Sequence, residues 1–253
     1  MSAPFSLQGR RVLYTGAAGG FGIATTQTLL EAGARVIALD NDAEHIRRLR
    51  EAVPARHDAN LHVLQADLAD ATALQAQLDR LVADGTIDVV INNAAIYPSR
   101  PFEEYSDAEL ARVHRVNVEA AVQIVRAALP GMRAQRWGRI INVSSITLSG
   151  GWENLLPYVQ SKGAMVGATR AFAREFGKWG ITVNAISPGA FPTDAEKIHP
   201  DPEGYNRMVL ERQSVKRRGH AGDIAAAIVF LASEEAGFIS GQTLAVDGGW
   251  VMH

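Results

Sequence analysis

The chain has 253 residues, 47% of them hydrophobic and 21% charged, with a formal net charge of −2. That balance suits one compact domain over residues 1–253, with two small domains as the alternative, and it gives no electrostatic reason to expect nucleic acid or an anionic membrane as partner. The absence of cysteine excludes disulfides, zinc–thiolate sites and cysteine nucleophiles.

The opening "MSAPFSLQGRR" lacks the apolar stretch of a signal peptide, and no run approaches 18 apolar residues, so a cytoplasmic protein without membrane spans is expected. Seven histidines are scattered with none at ligand spacing from another, so no metal site is expected.

In chain order the apolar runs are "RRVLYTG", "ARVIALD", "NLHVLQAD", "IDVVINNAA", "GRIINVSS", "ITVNAISPG" and "TLAVDGG". Most are continuous rather than alternating, as for parallel strands covered on both faces. Longer helical patterns lie between them, which implies right-handed βαβ units. The pattern predicts a single doubly wound α/β domain of Rossmann type with a seven-stranded parallel sheet.

The first strand runs into "TGAAGGFGIATTQTLLEAG", a glycine-rich turn opening a helix. Gly16, Gly20 and Gly22, with Phe21 between the last two, have the spacing that lets a backbone turn tightly against a pyrophosphate at a helix N-terminus. Asp40 closes the second strand, 18 residues after Gly22. An acidic residue there can take the adenine-ribose hydroxyls and repel a 2′-phosphate, and the residue before Gly20 is Gly19, not a cation. NAD is therefore expected over NADP. By itself, Asp40 is equally readable as a turn or cap residue.

Ser106 and Glu109 form a capping box ahead of a helix whose apolar stripe runs Leu110, Val113, Ala120, Ile124 and Ala128. Asn117 falls on that stripe, where a buried amide must find partners; alone, it reads as a tie between helix and sheet. The strand "GRIINVSSI" ends in Ser144 and Ser145 at the edge where ligands sit, although a pair of serines also makes an ordinary turn. In "YVQSK", Tyr158 and Lys162 are one helical turn apart and share a face. Residues 189–206, "GAFPTDAEKIHPDPEGYN", read as a long irregular stretch and as a substrate lid extending to about residue 215.

Together these motifs, in order along nearly the whole chain, resemble the short-chain dehydrogenase/reductase family: "TGAAGGFG", Asp40, "ADL", "NNAA", Asn117, "NVSS", "YVQSK", "NAISPG" and "GQTLAVDGG". The resemblance implies Tyr158 as catalytic tyrosine, Lys162 as its lysine and Ser145, 13 residues before the tyrosine, as the serine. It further implies Asn117 as support for a proton relay, holding a water that links Lys162 to solvent. Asp67 and Leu68 match the adenine-side contacts, Asn93 the cofactor's ribose lining, and Pro188, Gly189 and Thr193 the segment meeting the nicotinamide amide. Three positions depart from the family pattern. Ala95 stands where glycine is usual, Pro192 removes a backbone donor before Thr193, and Gln160 is unusual inside the tyrosine–lysine motif.

The family's reaction is hydride transfer between an alcohol and a nicotinamide, with Tyr158 as general acid/base. Free tyrosine ionises near pH 10, so a base working near neutrality needs a drop worth about 4 kcal/mol. A nearby ammonium and an oxidised nicotinamide both favour the phenolate.

The substrate is expected to be a small molecule, a sugar or polyol oxidised at a secondary or anomeric carbon. The lid is strongly polar, with Glu196, Lys197 and His199 among its residues, and "GGWENLLPY" adds Trp152 and Asn154. Trp152, Asn154 and His199 are the expected substrate residues beside Ser145 and Tyr158. Aryl or hydrophobic secondary alcohols, a 3-oxoacyl substrate, and a non-catalytic NAD-sensing role stand as alternatives. Gly163 and Gly167 on the Tyr158 helix, and the apolar ending "TLAVDGGWVMH", suggest a homotetramer with the C-terminus at an interface.

Overall fold

The computed structural model describes residues 4–193, 196 and 200–252. Strands β1 (Arg11–Thr15), β2 (Arg35–Asp40), β3 (Leu61–Gln65), β4 (Val89–Asn92), β5 (Gly138–Val143), β6 (Ile181–Pro188) and β7 (Thr243–Val246) form one sheet. Its order is β3-β2-β1-β4-β5-β6-β7 and every neighbouring pair is parallel. The seven expected strands are all present.

Side chains alternate across a strand, and here both faces are buried. In β1, Val12 and Tyr14 enter one core and Leu13 the other; in β4, Val89 and Ile91 oppose Val90. Each such aliphatic side chain contributes about 1.5–3 kcal/mol when fully buried. The helices α1 (Gly22–Glu31) and α2 (Ala43–Ala52) seal the first face. The opposite face is covered by α3 (Ala71–Ala83) and α5 (Ala120–Gln135), with α4 (Asp107–His114) leading into α5. Further along come α6 (Thr147–Gly150), α7 (Leu156–Phe176), α8 (Pro202–Arg212) and α9 (Ala221–Ala232), with α7 packed on β6 and α9 on α1.

The chain winds outward from β1 to β3, then returns to place β4 on the other side of β1. That reversal opens a crevice at the carboxyl ends of β1 and β4. Thr15 and Asn93 stitch it: the Thr15 hydroxyl accepts from the Asn93 and Ala94 amides (3.1 and 3.2 Å), and Asn93 Nδ2 donates to the Thr15 and Gly16 carbonyls (both 3.1 Å).

Two local structures differ from the sequence expectation. The helix opened by the Ser106–Glu109 capping box is interrupted by a π-turn over Arg115–Glu119, where the Ala120 amide bonds the Arg115 carbonyl. The stretch over 189–206 is not wholly irregular, because α8 begins at Pro202. Asp201 caps it by accepting from the Gly204 amide, and proline fits the first turn where its missing N–H is not needed.

No described helix is long and apolar enough to cross a membrane, and among the described residues no group of three His, Asp or Glu could hold a metal ion. Met252 is exposed, whereas Trp250 packs half-buried against Trp152 of the same chain.

Candidate active site

A cleft of about 380 Å³ opens over the crevice, within the usual size range of small-molecule sites. Gly16, Gly20, Phe21, Asp40, Asn93, Ser145, Trp152, Tyr158, Lys162, Pro188, Gly189 and Thr193 line it, so most of the expected site residues converge on one surface. Gly22 lies just behind, at the start of α1, where a Cβ would fall inside the Ala17 carbonyl. At Gly20 a Cβ would come 2.8 Å from the Thr193 side chain, and at Gly16, with φ of 66°, 2.8 Å from Asn93 Nδ2. Side chains are thus kept out of the turn. The result is a backbone cradle at a helix N-terminus, which fits a dinucleotide pyrophosphate.

Asp40 is buried at the end of β2. Its Oδ2 accepts from the Ala18 amide (3.0 Å) and its Oδ1 from the Asp42 amide (3.2 Å), so the carboxylate pins the glycine turn. Asn41 and His45 line the same end of the cleft. The segment of Asp67 and Leu68 runs beside it, tied through the Ala66 amide to the Asp40 carbonyl (2.9 Å). Neither residue reaches the cleft lining: Leu68 is buried in the core, while Asp67 is exposed and accepts from the Ala69 amide.

At the other end, α7 presents Tyr158 and Lys162. Burial pushes the Tyr158 hydroxyl up to about 12, and a hydrogen bond with Ser145 acts the other way. Ser145 Oγ accepts from both the amide and the hydroxyl of Thr147 (3.1 and 2.9 Å), which leaves its own proton to be donated into the cleft, on the side of Tyr158. Ser144, which also lines the cleft, donates to the Lys162 carbonyl (3.4 Å). Tyr97 meets Tyr158 edge to face, with ring centroids 6.0 Å apart.

Lys162 is 3% exposed, and burial lowers its pKa to about 8, so it remains a cation at neutral pH. Its Nζ donates to the Val143 carbonyl (2.7 Å) and lies 5.3 Å from the centre of the Tyr158 ring.

Asn117 sits inside the π-turn, a helical irregularity that often marks functional sites. Its Oδ1 accepts from the Ile96 amide (2.9 Å), while Nδ2 donates to the Ile96 carbonyl (2.9 Å) and to Ser161 Oγ (3.0 Å). Ser161 donates in turn to the Tyr158 carbonyl (2.7 Å). Both amide hydrogens are committed to protein. These bonds give the side chain a positioning role, fastening the segment after β4 to the helix that carries Tyr158.

Among the expected substrate residues, Trp152 lines the cleft. Asn154 does not: its side chain is exposed, and its carbonyl accepts from the Arg100 amide (3.0 Å) and the Tyr105 hydroxyl (2.8 Å), anchoring a neighbouring loop. His199 lies outside the described residues. The lid contributes Glu196, ion-paired with Arg218, and Tyr205. Tyr97, Thr147, His45 and Tyr205 went unnoticed in the sequence. Tyr97, Thr147 and His45 carried a signal, since each closely follows a strand's carboxyl end, and Tyr205 falls within the stretch read as a lid.

A family model described as enoyl-(acyl carrier protein) reductase matches residues 16–251. The chain is 32% identical to a 5-keto-D-gluconate 5-reductase of Escherichia coli, over all of this chain and 99% of that protein. It is 31% identical to a 3-oxoacyl-[acyl-carrier-protein] reductase of Salmonella typhimurium, covering 98% and 99% of the two chains. The crystal structure of a gluconate 5-dehydrogenase from Burkholderia cenocepacia, in complex with NADP and tartrate, superposes with a TM-score of 0.86 at 30% identity. That match covers 97% of this chain and 96% of the other.

Proposed function

The chain belongs to the short-chain dehydrogenase/reductase family, and from that premise we propose that it oxidises a secondary alcohol of a sugar or polyol, with Tyr158 as general acid/base and NAD as preferred cofactor. It is an oxidoreductase acting on CH–OH and keto groups with a nicotinamide dinucleotide. The observation carrying the mechanism is the convergence of Ser145, Tyr158 and Lys162 on one cleft wall.

When bound, the oxidised nicotinamide supplies a hydride acceptor and a fixed positive charge. The glycine turn, Asn93, Pro188, Gly189 and Thr193 would hold it, and Asp40 would meet its adenosine. Tyr158 receives the alcohol proton at its phenol oxygen. From a pKa of about 12, a base at neutral pH requires about 7 kcal/mol of stabilisation of the phenolate. The Lys162 cation, the Ser145 hydroxyl and the cofactor's charge all act in that direction. Ser145 shares its one proton between the phenol oxygen and the substrate oxygen beside it, and Asn117 keeps the tyrosine helix in register with the segment after β4.

The preference for NAD rests on the carboxylate of Asp40 at the adenosine end, which would repel a 2′-phosphate. The sugar or polyol class is supported by the polar lid, by Trp152 in the wall and by the gluconate-acting relatives. The exposed Leu244 of β7, the exposed Phe238 ahead of it, and the open face at Gly167 on α7 support assembly as a homotetramer, which light scattering would test.

The deciding experiment is a substrate panel read by NADH and NADPH absorbance, covering aldoses, polyols, sugar acids, 1-arylethanols and a 3-oxoacyl thioester. Turnover of sugars or polyols with NAD, lost by orders of magnitude in Tyr158→Phe while the dinucleotide still binds, is the expected result. Activity confined to arylethanols or 3-oxoacyl thioesters overturns the substrate class. Near-normal turnover in Tyr158→Phe overturns the acid/base role.

A further inference from the structure

Two tryptophans from distant parts of the chain meet at the mouth of the cleft. Trp152 lines the cleft from the loop between α6 and α7, and Trp250 lies in the tail after β7. Their ring centroids are 5.9 Å apart, with planes inclined by 49°. The guanidinium of Arg212, the last residue of α8, lies 5.9 Å from the Trp250 ring. One indole therefore touches both the wall that carries Trp152 and the helix of the lid.

The tail is built to hold that indole in place. Asp247 is 5% exposed, and its carboxylate accepts from the amides of Gly249 (2.9 Å) and Val251 (2.8 Å), which bracket Trp250. The residues after α8 fasten the same turn. Gln213 Nε2 donates to the Asp247 carbonyl (3.2 Å), the Val215 amide to the Gly248 carbonyl (2.8 Å), and the Ser214 hydroxyl to the Gly249 carbonyl (3.2 Å). Gly189 of the cleft lining packs so closely here that a Cβ would lie 2.7 Å from Asp247 Cα. The end of β6, the tail and the end of α8 thus form one packed unit, with Trp250 projecting from it.

The Trp152 indole lies on Gly150, which has no room for a Cβ beneath the ring, so its own support comes from a glycine-rich segment. Trp152 follows Gly150 and Gly151, and α6 before it is a single turn. We infer that Trp250 is a specificity-determining positioning residue, bracing Trp152 as a flat apolar wall on which the C–H face of a sugar or cyclitol ring stacks. This inference rests on the sugar or polyol reading above. A braced indole loses no rotamer freedom when the ring arrives, whereas an unbraced one must be ordered by the substrate, at a cost of about tenfold in affinity. A small acyclic alcohol, which does not reach the wall, gains nothing from the brace.

The test is steady-state kinetics on the wild type, Trp250→Ala and Trp250→Phe. It uses a ring sugar from the panel and 2-butanol as a small alcohol, with NADH affinity and melting temperature measured alongside. In Trp250→Ala, KM for the ring sugar rises about tenfold. Its kcat changes less than about twofold, KM for 2-butanol and NADH affinity hold, and Trp250→Phe restores most of the loss. An unchanged KM for the ring sugar overturns the brace alone. So does an equal loss on both alcohols together with weakened NADH binding, because Trp250 would then be merely structural. Failure of the wild type on every sugar and polyol overturns the substrate reading, and the brace with it.

Discussion

Replacing Lys162 by methionine should stabilise the free protein while abolishing turnover. The lysine is fully enclosed, and burial takes its pKa from 10.5 to about 8. That fall corresponds to about 3 kcal/mol of penalty on the charged form at neutral pH. Methionine fills a similar volume and carries no charge, but it leaves the Val143 carbonyl without its 2.7 Å partner, a loss of about 1 kcal/mol. The balance favours the variant by about 2 kcal/mol, or about 5 °C in melting temperature for a domain of this size. The pH dependence gives the sharper test. Below pH 8 the lysine is protonated in both folded and unfolded chains, and the penalty is fully present. Between pH 8 and 10.5 the unfolded chain still binds the proton that the folded chain has released, so the wild type gains stability as pH rises. Parallel thermal melts of wild type and Lys162→Met from pH 7 to 9.5 should show the gap narrowing. A variant that melts below the wild type at pH 7, or a gap independent of pH, would refute the reasoning.

Three further outcomes follow from the site. Asn117→Ala strands the Ile96 amide and carbonyl and should cost about 2–4 kcal/mol, lowering the melting temperature by about 5–10 °C; an unchanged melt would show that the π-turn holds itself. Gly22→Ala should lose soluble, cofactor-binding protein because its methyl collides with the Ala17 backbone. Gly19→Ala, whose methyl would meet the Gly16 carbonyl at an ordinary 3.6 Å, should be tolerated. Asp40→Ser should weaken NAD at least about tenfold, by freeing the Ala18 and Asp42 amides and losing the ribose acceptor, while NADP turnover rises. A wild type that already prefers NADP in the same assay would remove the basis for that change.

The amino-acid sequence alone determined the α/β class, the seven parallel strands, the glycine turn and the pairing of Tyr158 with Lys162. These features rest on short-range rules: continuous apolar runs, turn glycines and a helical spacing of four residues. What those rules cannot contain is the company each side chain keeps. The capping box opened a helix in the right place, yet only the fold brings the Ile96 backbone, from the segment after β4, to the amide of Asn117 in the π-turn. Asn154 and Trp152 stand two residues apart in the same segment before Tyr158, but Asn154 faces solvent and Trp152 lines the cleft. Arg139 interrupts an apolar strand and is nonetheless buried, because its guanidinium reaches the Ser233 carbonyl (3.0 Å) and stacks on Trp137. The proton direction at Ser145 depends on Thr147, and the wall at Trp152 on a tail residue 98 positions away. Spacing along the chain determines which groups can share a helix face or a strand edge, whereas partners supplied by distant segments decide which of them are held still, desolvated and aimed at the cleft.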